Sequence, residues 1–493
     1  MVTFVIRTLI IKDLFMKLKF LGVLVLLAVL AACGEDEPNN DVENPGGAFD
    51  LTIFFVNDPH GRIDNFAKIK TIVDRARAQG EVLVVTAGDL FAGNPIVDQA
   101  AEPGFPIIDI MNQVGFDVGV LGNHEFDFGT TILQDRVEQS DFPWILANID
   151  ASQSVLEQPD PFITLSAGGF DITFLGLIET RGKDREIPST HPLRVADLSF
   201  QRHREVVNNY ANLKAEEGSD LLIGLTHLGS RDDIFLANNS PFFDLIIGGH
   251  SHERISEEVN GIPVIQAGSN LRTLGRIDLT IENQEIADYR VRLIDLETVE
   301  DATPDEALAE VIATYNNDDS FSTVVGNSNI DHEFLDMGCF YTTALKEFMD
   351  VDFTIQNLGG IRAGFNEGPI TTFEVFSMDP FNNQSVTFTK TVGEFENFFC
   401  GAGAEFFFTG ITVASSSNDF QLVDDNGVPL ADDMQLTLGV NDFIPALYDD
   451  FFDFAEADIK DYTTAEAVIG YLQSLNEDVD FGGCISVLEC EAN

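Results

Sequence analysis

A chain of 493 residues is longer than one hydrophobic core usually organises, so its length predicts two or three domains. Asp and Glu total 82 against 27 Lys and Arg, and the net charge of -55 argues against a nucleic-acid polymer or an anionic membrane surface as the main partner. Hydrophobic residues reach 44% and include 42 Phe, which excludes an intrinsically disordered chain.

The first 32 residues have the composition of an export signal. Lys17 and Lys19 precede an uncharged run at 20–32, which is shorter than the ~20 residues that a membrane-spanning helix needs. The run ends in LAAC at Cys33, which resembles the lipobox of bacterial lipoproteins and implies that Cys33 carries a lipid. An ordinary cleaved secretory signal is the alternative. We expect a lipoprotein on the periplasmic face or the surface of a Gram-negative bacterium, with residues 33–49 as a flexible tether and the lipid as its only membrane contact.

The remaining cysteines are Cys339, Cys400, Cys484 and Cys490, an even number in a chain expected to reach an oxidising compartment. They allow three disulfide pairings, of which Cys339 with Cys400 and Cys484 with Cys490 is favoured. The sequence has no CxxC, so we do not expect a zinc site built from cysteines.

Residues 50–297 alternate short β-branched or aromatic runs with helical stretches, which is typical of an α/β domain. Five of the predicted strands run directly into polar clusters. These strands are 51–56, 82–87, 118–121, 221–225 and 245–248, and the clusters are NDPHG, GD, GNHEFD, TH and GHSH. Ligands of α/β sheets bind beyond the carboxyl ends of the strands, so the five clusters should converge on one site.

The clusters offer carboxylate and amide oxygens with imidazole nitrogens and no thiolate, a set that suits Zn, Mn or similar divalent ions. Five of the 8 His of the chain fall in them, namely His60, His124, His227, His250 and His252. One His beside a strand is usually a structural residue, whereas five at strand ends indicate a metal centre.

In that order, NDPHG, AGD, GNHEFD, THLG and GGHSH resemble the motifs of calcineurin-like metallophosphoesterases, in the branch of exported 5'-nucleotidases and UDP-sugar hydrolases. The resemblance implies a four-layer sandwich of two mixed sheets flanked by helices, with two divalent metal ions. It assigns Asp58, His60 and His252 to one metal, Asn123, His227 and His250 to the other, and Asp89 as the bridge between them.

A catalytic pair is expected beside the metals. Asp127 follows His124 by three residues, a spacing that lets a carboxylate orient an imidazole. In the resembling family this pair stabilises the transition state and assists the leaving group, which makes His124 the catalytic residue and Asp127 its orienting partner.

Residues 298–319 are expected to form a linker helix, followed by a smaller α+β domain at 320–480 and a tail at 481–493. The segments QNLGGIR, GPIT, PFNN and NDF resemble landmarks of the 5'-nucleotidase C-terminal domain. Arg362 is the only arginine after residue 297, so we expect it to clamp a phosphate, with a salt bridge inside the domain as the alternative.

The resemblance also implies that Asn357 contacts the substrate and that a nucleobase stacks between Phe381 and Phe443. It places the ribose at Asp449 or Asp450, although this chain lacks the glycines that the family has there. We therefore expect hydrolysis of nucleoside 5'-monophosphates. The alternatives are a phosphodiesterase or pyrophosphohydrolase that cleaves cyclic nucleotides or UDP-sugars, and a surface lipoprotein that binds nucleotides without turnover. The expected partner is a nucleotide or another small phosphate ester.

Overall fold

The structure is a computed structural model that describes residues 49–402, 405–416, 419–424, 426–484 and 487–488. The predicted export signal, the tether up to residue 48, Cys33 and Cys490 lie outside the described residues. No helix within the described part of the chain is long and apolar enough to cross a membrane.

The first domain contains two six-stranded sheets. Its strands are β1 (Leu51–Val56), β2 (Val82–Thr86), β3 (Val118–Val120), β4 (Trp144–Ile145), β5 (Ile149–Asp150), β6 (Phe162–Ala167), β7 (Phe170–Ile178), β8 (Ser199–Phe200), β9 (Leu221–His227), β10 (Leu245–Gly248), β11 (Arg254–Val259), β12 (Ile262–Ala267), β13 (Thr273–Glu282) and β14 (Glu285–Asp295). Its helices are α1 (Phe66–Arg77), α2 (Pro95–Asp98), α3 (Phe105–Val114), α4 (Gly129–Gln139), α5 (His203–Val206), α6 (Leu213–Glu217) and α7 (Ser230–Asn239).

Both sheets are mixed. The strand order is β14-β13-β1-β2-β3-β4 in one sheet and β11-β12-β10-β9-β7-β6 in the other. Strands β1 to β4 are parallel, as are β7, β9, β10 and β12, while the remaining strands of each sheet pair antiparallel. Every residue of β1 is buried, which explains its continuous apolar sequence LTIFFV.

The sheets face each other and carry helices on their outer sides. Strand β3 contacts β7 and β9 between the sheets. Helix α3 contacts both α1 and α4 beside the first sheet, and α7 packs on β10, β11 and β12 of the second. Leu222, Ile246 and Leu236 belong to the apolar core beneath α7. The result is a layered sandwich whose parallel strands end along a common edge.

A single helix, α8 (Glu306–Asn316), leads to the second domain. The carboxylate of Asp305 accepts a hydrogen bond from the backbone N–H of Leu308 at 2.9 Å and caps its first turn. Helix α8 packs against α1 and α3 of the first domain. It begins later than residue 298 because residues 296–298 form a turn and residues 299–305 are not helical.

The second domain is built on a six-stranded mixed sheet with the order β23-β18-β22-β16-β19-β24. Its elements in chain order are β15 (Val324–Ser328), α9 (Phe334–Met349), β16 (Phe353–Asn357), β17 (Gly368–Thr371), α10 (Thr372–Met378), β18 (Gln384–Thr391), α11 (Val392–Ala402), β19 (Phe406–Thr409), β20 (Thr412–Ser416), β21 (Asp419–Val423), β22 (Gln435–Asn441), α12 (Phe443–Leu447), β23 (Asp458–Thr463), α13 (Thr464–Ser474) and β24 (Val487–Leu488).

Two apolar clusters form the core of this domain. Helices α9, α10 and α13 contribute to one cluster. The other joins α11 and α12 to β16, β18 and β22 and is rich in phenylalanine, including Phe353, Phe388 and Phe395. The abundance of Phe in the sequence is thus used largely for packing in an otherwise acidic domain.

The disulfide pairing favoured by the sequence is wrong. Cys339 of α9 bonds to Cys484, which lies 145 residues later near the end of the described chain. Cys400 is also disulfide-bonded, and neither Cys339 nor Cys484 is its partner. Spacing along the chain could not reveal this pairing because it depends on how the C-terminal segment folds back onto α9.

Candidate active site

Seven polar side chains from five strand ends meet at the common edge of the two sheets. Asp58 and His60 follow β1, Asp89 follows β2, Asn123 follows β3, His227 ends β9, and His250 and His252 follow β10. The loops approach each other closely, since a Cβ on Gly122 would lie 2.3 Å from Oδ1 of Asp89. Glycine is therefore required at this position for steric reasons.

The backbone at this edge is held in an unusual conformation. Five of the seven residues are in the left-handed region, with φ values of 51° at Asp58, 47° at His60, 58° at Asp89, 81° at His250 and 58° at His252. Such angles cost about 1–3 kcal/mol each for residues other than glycine and persist where other contacts enforce them. Strain concentrated in these loops indicates that the side chains are held for function.

The donor atoms form two groups that share Asp89. Asp58, His60, Asp89 and His252 make the first, and Asp89, His227 and His250 make the second. Each group has its donor atoms within 4.8 Å of one another. Oδ1 of Asn123 adds to the second group, at 2.9 Å from Nδ1 of His250 and 3.2 Å from Nε2 of His227.

Three of the four imidazoles are held in the neutral form that metal binding requires. Burial lowers the pKa of His60 well below its ordinary value, that of His250 to about 3, and that of His252 in the same direction, so all three carry a free lone pair at neutral pH. Burial also disfavours a charged His227, but Asp89 at 3.1 Å outweighs it and raises the pKa of His227 to about 10. A positive charge is therefore favoured between Asp89 and His227.

These residues fit two divalent ions. The carboxylates of Asp58 and Asp89 are 0% and 1% exposed, and in the described part of the chain neither has a Lys or Arg partner. Burial raises the pKa of Asp58 to about 7, which shows how costly an uncompensated carboxylate is there. Divalent cations would supply the missing charge, and the mixture of oxygen and imidazole donors suits Zn or Mn.

His124 and Asp127 form a hydrogen-bonded pair beside the metal ligands. Nδ1 of His124 donates to Oδ2 of Asp127 at 2.5 Å, and the hydroxyl of Thr190 donates to Oδ1 of the same carboxylate at 2.9 Å. Asp127 raises the pKa of His124 against the opposing effect of burial. Because Nδ1 is engaged, Nε2 is the nitrogen left to act on a substrate.

Glu125 lies between the metal loops and forms no ion pair with any other residue that the structure describes. Its carboxylate accepts the backbone N–H groups of Asp89, Leu90 and Gly122 at 2.9, 2.6 and 2.5 Å. It thereby fixes the loop after β2 against the loop after β3. Its role is to position the ligands.

The edge of the two sheets that carries the predicted metal ligands is called the metal edge below. One cavity of about 300 Å³ lies between this edge and the second domain. From the first domain it is lined by residues that include Asp89, Asn123, His124, Asp127, His250 and His252. From the second domain it is lined by residues that include Asn357, Arg362, Phe381, Asn383 and Phe443. The predicted phosphate clamp and both predicted base-stacking rings therefore face the predicted metal centre.

Arg362 is free to bind an anion. It forms no ion pair with any described residue, and its guanidinium carbon lies 5.8 Å from the centre of the Phe381 ring. The alternative of a salt bridge inside the second domain is therefore not observed.

Comparisons with known proteins agree with this geometry. Residues 51–254 match the calcineurin-like phosphoesterase family and residues 311–455 match the 5'-nucleotidase C-terminal domain. A 5'-nucleotidase of Vibrio parahaemolyticus is 25% identical over 429 residues, which cover 73% of this chain and 75% of that protein.

Two further proteins match most of this chain. The trifunctional nucleotide phosphoesterase YfkN of Bacillus subtilis is 27% identical over 404 residues, which cover 71% of this chain and 27% of that protein. The crystal structure of a 5'-nucleotidase precursor from Thermus thermophilus superposes with a TM-score of 0.74 at 22% identity, covering 86% of this chain and 96% of the other.

The chain is a metallophosphoesterase of the 5'-nucleotidase family. The predicted enzyme class and the predicted sandwich of two mixed sheets with an added C-terminal domain are confirmed.

One predicted substrate residue of this metallophosphoesterase lies apart from the others. Asp449 forms an ion pair with Lys183 of the first domain and lines a neighbouring cavity that does not include Arg362 or Phe381. Its carboxylate is 55% exposed. The structure therefore does not bring Asp449 together with the clamp and the metal ligands.

Two first-domain residues that meet the second domain at the cavity were not among the predicted site residues. Arg194 donates to the backbone carbonyls of Asp127 and, at 2.8 Å, Phe381. The imidazole of His191 meets the ring of Phe443 edge-on with the ring centres 5.8 Å apart. Both lie in the segment HPLR, which carries no motif, so no local signal distinguished them.

Proposed function

We propose that this metallophosphoesterase hydrolyses phosphate esters of nucleotides outside the cytoplasm, converting a nucleoside 5'-monophosphate to nucleoside and phosphate. The observation that carries the proposal is the shared cavity, in which metal-ligand residues and His124 face Arg362, Phe381 and Phe443. A nucleotide needs both sets of residues, because its phosphate requires positive charge and its base requires an apolar surface.

The second domain supplies binding. Arg362 presents a guanidinium without an ion partner among the described residues, and such a fork matches two phosphate oxygens at once. The half-buried rings of Phe381 and Phe443 offer stacking surface to the base, which is worth about 1–3 kcal/mol per base. These contacts would set the phosphate against the metal edge.

The first domain supplies the chemistry. Asp58, His60 and His252 would hold one divalent ion and Asn123, His227 and His250 the other, with Asp89 between them. When bound, such ions neutralise phosphoryl oxygens and lower the pKa of a water molecule for in-line attack on phosphorus. His124, fixed by Asp127, donates a hydrogen bond from Nε2 to the phosphoryl group or the leaving oxygen.

Hydrolysis assays test this function. The purified chain is incubated with AMP, UDP-glucose, a cyclic nucleotide and an aryl phosphate, with Mn or Zn and with the His124→Ala variant as control. Metal-dependent release of phosphate from AMP supports the proposal. Absence of metal-dependent phosphate release from all four substrates would refute it, and a metal count well below two per chain would favour the alternative of a nucleotide-binding protein without turnover.

The position of Asp449 favours a second candidate activity. Because this carboxylate pairs with Lys183 and lies outside the cavity, it does not select for the ribose of a mononucleotide there. A pyrophosphohydrolase or phosphodiesterase acting on UDP-sugars or cyclic nucleotides would use the same centre. Product analysis separates the two activities, since cleavage of UDP-glucose to UMP and glucose 1-phosphate identifies the second.

We also propose export and lipid anchoring through Cys33, a prediction that stands on the sequence. Expression of the full chain with radiolabelled palmitate, followed by membrane fractionation, tests it. The Cys33→Ala variant should lose both the label and the membrane association. A soluble, unlabelled wild-type chain would support the secretory-signal alternative.

A further inference from the structure

A second polar cavity, of about 490 Å³, opens on the first domain. We call it the arginine pocket, because Arg181, Arg185, Arg202, Arg204 and Arg231 line it. They are five of the 17 arginines of the chain. Among the described residues that line it, Glu179 and Asp232 are the acidic ones.

This concentration of positive charge runs against the composition of the chain. Asp and Glu outnumber Lys and Arg by 82 to 27, so an exposed arginine would ordinarily have a carboxylate within reach. Among the described residues, however, Arg185, Arg202 and Arg231 form no ion pair. Three guanidinium groups without a carboxylate partner in one cavity leave N–H donors available to an anion.

The other two arginines, Arg181 and Arg204, both pair with Asp232. Its Oδ2 accepts from Nη2 of Arg181 at 2.5 Å, and its Oδ1 accepts from Nη2 of Arg204. The guanidinium of Arg204 also stacks on the ring of Phe235 at 3.7 Å. Each arginine has five donors, so both retain N–H groups for a ligand.

A buried histidine provides an independent sign of a ligand. His203 lines the pocket and is 7% exposed, yet its Nε2 has no hydrogen-bond partner within the described chain. The nearest acidic atom, Oδ1 of Asp232, lies 3.9 Å away. A buried polar atom left without a partner normally marks a place that a water or ligand completes.

The arginine pocket borders the metal centre. Nη2 of Arg181 donates at 2.6 Å to the carbonyl of Leu228, the residue after the metal ligand His227. A Cβ placed on Gly229 would lie 3.5 Å from Nη1 of Arg181 and 3.4 Å from Cδ2 of His250, so both side chains flank the same glycine. An anion in the pocket would thus lie next to the proposed site of phosphate release.

We propose that the arginine pocket binds a small phosphate-class anion, either orthophosphate or a short phosphate chain such as pyrophosphate. Planar guanidinium forks match the oxygens of a tetrahedral phosphate in pairs. In a chain of net charge -55 the pocket is a local region of positive potential at the edge of the catalytic site. The proposal rests on the pocket and would stand whichever ester the metal centre hydrolyses.

Calorimetric titration of the metal-loaded chain with orthophosphate and with pyrophosphate tests the pocket. The wild-type chain should show one binding event at the metal centre and a second in the pocket. The triple variant Arg185→Ala, Arg202→Ala, Arg231→Ala should lose the second event or bind at least about ten-fold more weakly. These arginines are exposed and have no part in the metal site.

A matched variant controls for the change in net charge. Arg254→Ala, Arg272→Ala, Arg290→Ala removes three exposed arginines of the same domain that do not line the pocket and should bind both anions as wild type does. The three pocket arginines changed to Lys keep the charge and should give intermediate affinity, because ammonium groups cannot form the paired contacts.

The two anions distinguish the occupant. Weakened binding of both identifies a single phosphate group, and weakened binding of pyrophosphate alone identifies a phosphate chain. Wild-type stoichiometry and affinity for both anions in the triple Ala variant would overturn the proposal. Orthophosphate is not itself hydrolysed, so failure of the hydrolysis assays would leave the orthophosphate result intact.

Discussion

The imidazole of His124 and the ring of Phe381 lie nearly parallel, with their centres 6.1 Å apart and their planes inclined by 23°. His124 belongs to the metal domain and Phe381 to the second domain. Arg194 supports the contact by donating to the carbonyl groups of Asp127 and Phe381. The proposed acid–base residue and the proposed base-stacking residue are therefore held together across the domain boundary.

Replacing His124 by Ala should lower kcat by about 10²–10⁴-fold, because a positioned acid–base side chain contributes about that much. KM should change little, since Arg362, Phe381 and Phe443 supply the binding. Steady-state kinetics with AMP measures both constants. The variant should retain the wild-type metal content, and a variant that lost its metals would contradict the separate roles assigned to His124 and the ligands.

Replacing Phe381 by Ala should raise KM for a nucleotide about 5–100-fold through loss of base stacking. Hydrolysis of a small aryl phosphate, which has no base, should change much less. Phe348→Ala is the matched control, because that ring is 40% exposed and packs on Tyr462, away from the cavity. Equal losses with both substrates would argue against a stacking role for Phe381.

Replacing Arg194 by Leu should lower Tm by about 3–6 °C, because the carbonyls of Asp127 and Phe381 lose their donor. It should also lower kcat, since Arg194 no longer links the His124–Asp127 pair to the second domain. Scanning calorimetry and kinetics measure the two effects. Arg290→Ala, an exposed arginine of the same domain, should shift Tm by about 1 °C or less.

The disulfide should appear in peptide maps of the unreduced protein as a Cys339 peptide linked to a Cys484 peptide. Changing both residues to Ala should destabilise the second domain by about 2–5 kcal/mol, because the bond closes a long loop of the unfolded chain. Denaturant titration measures the loss. A peptide linking Cys339 to Cys400 would contradict the structure and restore the pairing favoured by the sequence.

Moderate salt should lower KM for an anionic substrate, because the surrounding negative charge repels it at long range. The Debye length falls from about 10 Å at 0.1 M to about 3 Å at 1 M, which screens this repulsion more than the contacts inside the cavity. Initial rates measured at increasing NaCl concentrations check the effect. A KM that rises steadily from low salt to seawater salt would count against it.

Sequence patterns were sufficient to predict the residues of the metal edge, because each of them directly follows or ends a strand. Asp58, Asp89 and Asn123 each follow a buried parallel strand, and the carboxyl ends of parallel strands must share an edge. The motif NDF likewise placed Phe443 in the cavity with Phe381. Asp449 was harder to place, since the chain departs from the family at that point and Lys183 captures the carboxylate.

The amino-acid sequence by itself determined the two-domain α/β organisation and the chemistry of the metal ligands, because both follow from short-range patterns of burial and donor type. Tertiary structure alone decided the bond between Cys339 and Cys484, the clamp made by Arg194, and the arginine pocket. Each of these depends on residues far apart in sequence that meet only when the chain is folded. Charge composition could not reveal the arginine pocket, because an excess of acid describes the whole chain and not the place where its few arginines gather.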